Sequence, residues 1–369
     1  MKKANRLYHL LDRWAGIPIV IILGIFCVKR KFPSAIQEIA VINLASIGDS
    51  VLMSAVIADI KLQYPESRLV AFVGESNFEL AKLIEGIDCL EKIALKNPLT
   101  LFTQIRKQKQ FDLLIDFGQW PRINAIFSFF IKSKFRIGFK KTHQFRHFIY
   151  DKTAEHSDEI HELNNFRNLT SSFYSKPFHN PSLRKVACNE KATKFISQSK
   201  RYCIIHAWSG GLRAGLKQWP NERWAKLIEK IKDDFDCIFI TGSKKDIENS
   251  EVLCSLAKAG AKNVHSLAGQ FNLNEMICIL RNSSLVITID TGIAHLAAAL
   301  NKTQLCLIRH VFHMQWRPWG ENVHTIYHKY NNVPNKDAAF KKKIFFDYCL
   351  ENVSVEMVYN KYKEIKSQL

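Results

Sequence analysis

The sequence predicts an α/β protein of two domains, each built on a parallel sheet, and three observations carry that prediction. Short apolar runs of strand length alternate with helix-length stretches twice over. A polar stretch with few periodic signals, Pro177 to Glu190, separates the two series near residue 185. A chain of 369 residues is long enough for two domains of ordinary size, each with its own core. Hydrophobic content of 47% with 15 Gly and 10 Pro excludes a disordered or fibrous chain. The expected division is an apolar N-terminal segment over 1–34, a first domain over 35–185, and a second over 186–369 that ends in a helix.

The N-terminal segment is an unbroken apolar run from Ala15 to Val28, followed by Lys29-Arg30-Lys31. It is short for a spanning helix, and a signal peptide is disfavoured because the basic cluster follows the run and no small-x-small site does. With Leu7, Leu10, Leu11 and Trp14 ahead of it, the run suits a monotopic or re-entrant anchor meeting anionic headgroups. A helix packed on the first domain has the same pattern. The first strand series opens with Ile39 to Leu44 and continues through Leu69 to Val73 and Leu113 to Phe117. The second comprises Cys203 to His206, Cys237 to Thr241, Leu285 to Ile289 and Leu305 to Ile308. Such sheets bind ligands at their strand carboxyl ends, and the two crevices are expected to face one another across a cleft.

A formal charge of +19 implies an acidic partner: nucleic acid, an anionic membrane or a phosphorylated substrate. The nine cysteines are scattered, several inside strand-like runs, and no C-x-x-C pair occurs. They read as reduced core residues of a cytosolic protein.

Two junctions carry the chemistry. Leu285 to Ile289 stops at Asp290-Thr291-Gly292 and restarts as an alanine-rich helix containing His295, whose free N–H groups would suit a diphosphate. Doubly wound domains also contain such junctions with nothing bound. Upstream, the opening strand runs into Ala45-Ser46-Ile47-Gly48-Asp49, which puts a carboxylate beside a helix start, as a base or as an N-cap. A Gly-rich loop from His206 to Pro220 lets backbone amides and Lys217 approach a phosphate, although its order is not that of a P-loop. The segment Lys132 to His147 holds Lys132, Lys134, Arg136, Lys140, Lys141 and Arg146 with no acid, interleaved with Phe135, Phe139 and Phe145. It is a solvated basic face, an anion-binding surface or a single-strand groove, the last without any supporting nucleic-acid motif.

From residue 38 to the end the chain resembles the heptosyltransferases, glycosyltransferase family 9. The landmarks are Ser46 to Asp49, Asp112 to Asp116 leading to Arg136-Ile137-Gly138-Phe139, Lys217-Gln218-Trp219-Pro220, Ser266 to Gly269, and Asp290-Thr291-Gly292 with His295. The resemblance implies a GT-B fold and inverting, metal-independent transfer of a sugar, usually from ADP-heptose, onto the inner core of lipopolysaccharide, with no cofactor. It implies Asp49 as general base and Lys217 on the diphosphate. Thr241, Gly242, Ser243, Asp290, Thr291, Gly292 and His295 would face the donor, and Ser46, Gly48, Arg136, Lys140 and Lys141 an anionic glycolipid acceptor. The expected place is the cytoplasmic face of the inner membrane, without nucleic acid. Leu307-Ile308-Arg309-His310 stands where the family has F-G-P-T, while Trp316 to Gly320 keeps its W-x-P-x-G, so a different nucleotide sugar stays open. The alternatives from other classes are a silent anion-binding protein, indifferent to Asp49→Ala, and a nucleic-acid binder with steep salt dependence.

Overall fold

A computed structural model describes residues 12–44, 46–93, 109–119, 122–198, 200–210, 217–329 and 350–369. The chain divides into two units, Met1–Arg184 and Lys185–Leu369. Unit 1 runs α1 (Gly16–Ile25), β1 (Glu38–Asn43), α2 (Ile47–Gln63), β2 (Arg68–Val73), α3 (Phe78–Ala81), β3 (Cys89–Lys92), β4 (Phe111–Asp116), α4 (Arg122–Phe130), β5 (Ser133–Lys140), β6 (Lys152–Glu155) and α5 (Glu162–Thr170). Unit 2 runs α6 (Glu190–Ser197), β7 (Tyr202–His206), α7 (Asn221–Ile231), β8 (Cys237–Ile240), α8 (Ile247–Lys258), β9 (Val264–Ser266), α9 (Leu273–Asn282), β10 (Leu285–Ile289), α10 (Gly292–Ala299), β11 (Gln304–Leu307), α11 (His310–Trp316), β12 (Val323–Ile326) and α12 (Val355–Ile365).

Each unit holds a six-stranded sheet, ordered β3-β2-β1-β4-β5-β6 in one and β12-β11-β10-β7-β8-β9 in the other. Every pairing is parallel. Read outward from its first strand, each sheet has the same order, so the side on which successive strands are added switches between β1 and β4 in unit 1 and between β7 and β10 in unit 2, with the strands themselves parallel throughout. The strand runs are continuously apolar because both faces are covered: Ile39 to Ile42 and Leu285 to Ile287 are fully buried. In unit 2, Leu227, Ile228 and Trp224 of α7 and Leu253 of α8 join β7, β8 and β10 in one core.

Three readings of the sequence change. The basic segment after Lys132 becomes β5, a strand with period two that the apolar runs did not show. Phe135, Ile137 and Phe139 point into the core and Lys134 and Lys140 outward, so these phenylalanines are packing residues and not an exposed stacking surface. The cysteines are not all reduced: Cys188 and Cys278 form a disulfide, whereas Cys27, Cys89, Cys203, Cys237, Cys254 and Cys306 take part in none. Ninety positions separate the bonded pair, beyond any local pattern; α9 brings Cys278 to residue 188, where Arg281 also donates to the Val186 carbonyl at 3.1 Å.

The third concerns the N-terminal run, one side of which packs on the first domain as the second reading has it, with its other side exposed. Val20 of α1 packs with Ala125, Ile149 and Tyr150, while Ile22, Ile25 and Phe26 face outward. The helix is tied to unit 1 by Arg122 on Asp12 at 2.8 Å and by Arg30 on both oxygens of Asp151 at 2.7 and 3.0 Å. Lys29 adds hydrogen bonds to the carbonyls of His147 and Tyr150. No helix among the described residues is long and apolar enough to cross a membrane. Leu7, Leu10 and Leu11 lie outside the described residues.

Candidate active site

In unit 1 the chemistry gathers where the side of strand addition switches, the usual ligand position in an open α/β sheet. Helix α2 starts with Ser46 as its N-cap and Asp49 at its third position. The N-cap reading of Asp49 is thereby corrected: a capping box gives that place to Ser46, because Asp49 reaches back one turn. Asp49 Oδ2 accepts from the Ser46 hydroxyl at 2.7 Å and from its N–H at 3.2 Å. Asp49 Oδ1 accepts from the Gln119 side-chain amide at 3.2 Å. Burial lifts the Asp49 pKa to about 6 against the opposing bond from Ser46, with the buried Glu162 carboxyl pushing the same way as burial. At neutral pH it is therefore mostly ionised, yet basic enough to take a proton.

Gln119 was invisible to the sequence reading, since nothing local links it to Asp49. The turn after β4 delivers it. Asp116 accepts from the Gly118 N–H at 2.8 Å, from Arg146 at 2.7 Å and from the Tyr150 hydroxyl at 2.5 Å. A Cβ at Gly118 would come within 1.9 Å of the Asn124 amide nitrogen and 2.9 Å of Asp116 Oδ1, so a side chain there would push Asn124 out of its buried place. Arg146, read as part of the basic face, is thus a fully buried ion-pair partner. Glu162 is held by His156 at 3.0 Å and by Asn165 at 3.2 Å.

The remaining acceptor-side residues separate. Gly48 is buried in the first turn of α2, directly before Asp49. The Arg136 guanidinium donates to the carbonyls of Ser128, Phe129 and Ile131 at 2.8 to 3.1 Å, closing the C-terminal end of α4. Burial lowers its pKa to about 10, with Arg30 adding to the effect. Lys140 pairs with Glu155 at 2.6 Å in an exposed position, and Lys141 with Asp158 at 2.7 Å.

In unit 2 that switch lies between β7 and β10, and Lys217 and Asp290 meet there at 3.1 Å. Thr291, in extended conformation, is the N-cap of α10 and Gly292 its first residue. The Thr291 hydroxyl and His295 Nδ1 are buried with no hydrogen-bond partner. Such atoms at a helix N-terminus suit an anionic guest that supplies acceptors. Burial drives the His295 pKa down to about 4, helped by Lys217 and opposed by Asp290, so the imidazole is neutral at pH 7.

Next to this, at the end of β8, Thr241 bonds His206 Nδ1 at 3.0 Å and the Ile205 carbonyl at 3.3 Å. Ser243 caps the turn after it, donating from its hydroxyl to Asp246 at 2.6 Å. A Cβ on Gly242 would lie 2.8 Å from Asp246 Cβ and 2.9 Å from the Trp208 ring. The Gly269 N–H donates to the Gly242 carbonyl at 2.9 Å, and its φ of +73° explains the glycine. The Gly-rich loop from Gly211 to Leu216 lies outside the described residues.

Comparison with known proteins matches this architecture. The chain aligns at 23% identity over 350 residues with lipopolysaccharide core heptosyltransferase OpsX of Haemophilus influenzae, covering 90% of this chain and 98% of that protein. The fold is that of a solved glycosyl transferase family 9 protein from Veillonella parvula, with TM-score 0.72, 18% identity, and coverage of 90% and 98% of the two chains. It is also that of E. coli ADP-heptose lps heptosyltransferase II, with TM-score 0.71, 16% identity and coverage of 90% and 99%. The sequence profile described as glycosyltransferase family 9 (heptosyltransferase) matches residues 99–344, more than half of the chain. The chain therefore belongs to glycosyltransferase family 9, the heptosyltransferases, and is a glycosyltransferase.

Proposed function

We propose that the chain moves a heptosyl group from ADP-heptose to a sugar hydroxyl on the core of an anionic glycolipid, lipopolysaccharide or a relative of it, with inversion at the anomeric carbon. The work is done at the cytoplasmic face of the inner membrane. Asp49 accepts the proton of the acceptor hydroxyl while that oxygen forms a bond to the anomeric carbon and the bond to the diphosphate breaks. The electron pair leaves with ADP. Ser46 and Gln119 hold the carboxylate in place, and Gly48 keeps the first turn of α2 open to the acceptor.

Unit 2 holds the donor. Lys217 exchanges part of its contact with Asp290 for the diphosphate, and the amides of Thr291 and Gly292 at the start of α10 stabilise the charge growing on the leaving group. The Thr291 hydroxyl donates to a phosphate oxygen, and neutral His295 adds a hydrogen bond without adding charge. These groups take the place a divalent cation occupies in other sugar transfers. Thr241, Gly242 and Ser243 form the floor under the nucleoside. Lys140 and Lys141 face the acceptor's carboxylates and phosphates, with Arg136 bracing the strand that carries them.

The observation that carries the reading is the buried pair at the head of α10, the Thr291 hydroxyl and His295 Nδ1, unpartnered beside a lysine. Support for the donor and acceptor comes from the names of the similar proteins, one a lipopolysaccharide core heptosyltransferase and one an ADP-heptose enzyme. The test is a panel of nucleotide sugars offered with truncated lipopolysaccharide, the anomeric configuration of any product being read by NMR. Inverted product from ADP-heptose supports the proposal; product from another nucleotide sugar alone, or retained configuration, refutes it.

A further inference from the structure

We propose that α1 and the protein surface beside it form one docking face for an anionic lipid bilayer, lying in the plane of the headgroups and not crossing them. The choice of a lipid surface over a protein partner leans on the lipid-linked acceptor proposed above.

The face is built from two parts of unit 1. Trp14 and Ile25 are each 75% exposed, Phe26 71% and Ile22 55%. The body of the unit continues the patch through Phe130 and Phe148, 43% and 41% exposed. The two parts touch: a Cβ on Gly24 would fall 2.5 Å from Phe148 Cβ, so α1 lies directly on that ring's own backbone turn. Large exposed apolar surface of this extent marks an interaction site. The ten residues of α1 rise about 15 Å, half of a hydrocarbon core of about 30 Å, so a spanning arrangement is too long for the helix.

Charge selects the partner. Residues 1–34 contain seven Lys and Arg against one acid, Asp12. Arg13 and Lys31 on either side of α1 and Lys132 just beyond Phe130 are all exposed. An apolar face rimmed by one sign of charge matches acyl chains beneath anionic headgroups. A second copy of the chain would set two basic rims against each other across a two-fold contact. The ties from Arg30 to Asp151 and from Arg122 to Asp12 fix the face to the unit that carries Asp49, so docking would also set the orientation of that unit to the lipid surface.

The experiment is flotation of the full chain with vesicles of phosphatidylethanolamine and phosphatidylglycerol, or of phosphatidylcholine alone. The variants are Phe130→Glu with Phe148→Glu, and Ile22→Asp with Ile25→Asp; the second pair is the more exposed and leaves the packing of α1 on Phe148 untouched, so it reads docking even where the first pair loosens α1. Wild type is expected to float with the anionic vesicles and to remain largely unbound with the neutral ones. Each double variant should lose binding about tenfold or more while transfer to a soluble acceptor is unchanged. Wild type failing to float, Phe130 and Phe148 substitutions leaving flotation intact, or sedimentation as a dimer that these substitutions dissociate would each overturn the proposal. Flotation without sugar transfer to any acceptor would remove the transferase reading and leave the docking face standing, whereas transfer to a soluble acceptor without flotation would do the reverse.

Discussion

Replacing Asp49 by Asn should inactivate the protein and stabilise it at once. The folded chain holds this carboxyl at a pKa of about 6, raised by burial from an ordinary 3.8. A rise of that size corresponds to about 3 kcal/mol of preference for the neutral form. The sign follows from proton uptake: between 3.8 and 6 the folded state binds more protons here than the unfolded state, so stability falls as pH rises through that window. Above it the full cost is present, and below about 4 it is gone. Asn carries no charge and so avoids the cost, and the site can accept it. Gln119 Oε1 is buried without a partner, so turning the Gln119 amide lets it accept from the new Asn nitrogen, while the new oxygen still accepts from Ser46. Denaturation followed from pH 3.5 to 8 should show Asp49→Asn more stable by up to about 3 kcal/mol at pH 7, with the difference shrinking below pH 6. The same variant should lose about 10²- to 10⁴-fold in kcat. A variant less stable than wild type at pH 7, or one retaining ordinary turnover, would refute the reasoning.

Other substitutions follow from the geometry. The wild-type rate should rise with pH through about 6 as Asp49 ionises, and a pH profile of kcat/KM flat from 5 to 8 would contradict that. Lys217→Ala removes a charged hydrogen-bond donor worth about 1.5–3 kcal/mol, so donor affinity measured by calorimetry should fall about 10- to 100-fold while the fold survives. Gly242→Ala forces a methyl against Asp246 and the Trp208 ring, and urea denaturation should show a loss of about 1–3 kcal/mol. Arg146→Met strands the fully buried Asp116 and should cost about 3–5 kcal/mol, far more than Lys140→Met, whose ion pair is exposed.

What the sequence disclosed depended on whether a signal was local. Strands buried on both faces, such as Ile39 to Ile42 and Leu285 to Ile289, are unbroken apolar runs, so the two parallel sheets were legible. Edge and near-edge strands were not: β5 hides its alternation among lysines, and β3, β9 and β12 are only three or four residues long. The Asp290-Thr291-Gly292 turn and the Ser46-to-Asp49 helix start were visible as strand-to-helix junctions. The residues that tune them were not, because Gln119 comes to Asp49 from the end of the neighbouring strand β4, Glu162 acts on it through charge from α5, and His206 reaches Thr241 across a strand pair. The Cys188–Cys278 bond and the burial of Arg146 against Asp116 are equally long-range. Charge counting could place Arg146 in a basic segment but could not see that its partner stands thirty positions away.

The most direct test of the central claim is transfer from ADP-heptose to truncated lipopolysaccharide in the presence of EDTA, with wild type and Asp49→Ala side by side. Wild type is expected to give product that EDTA does not diminish, and the variant essentially none although it still binds donor. Product that disappears with EDTA would contradict the role given to Lys217 and the α10 amides, and product from Asp49→Ala at the wild-type rate would contradict the base.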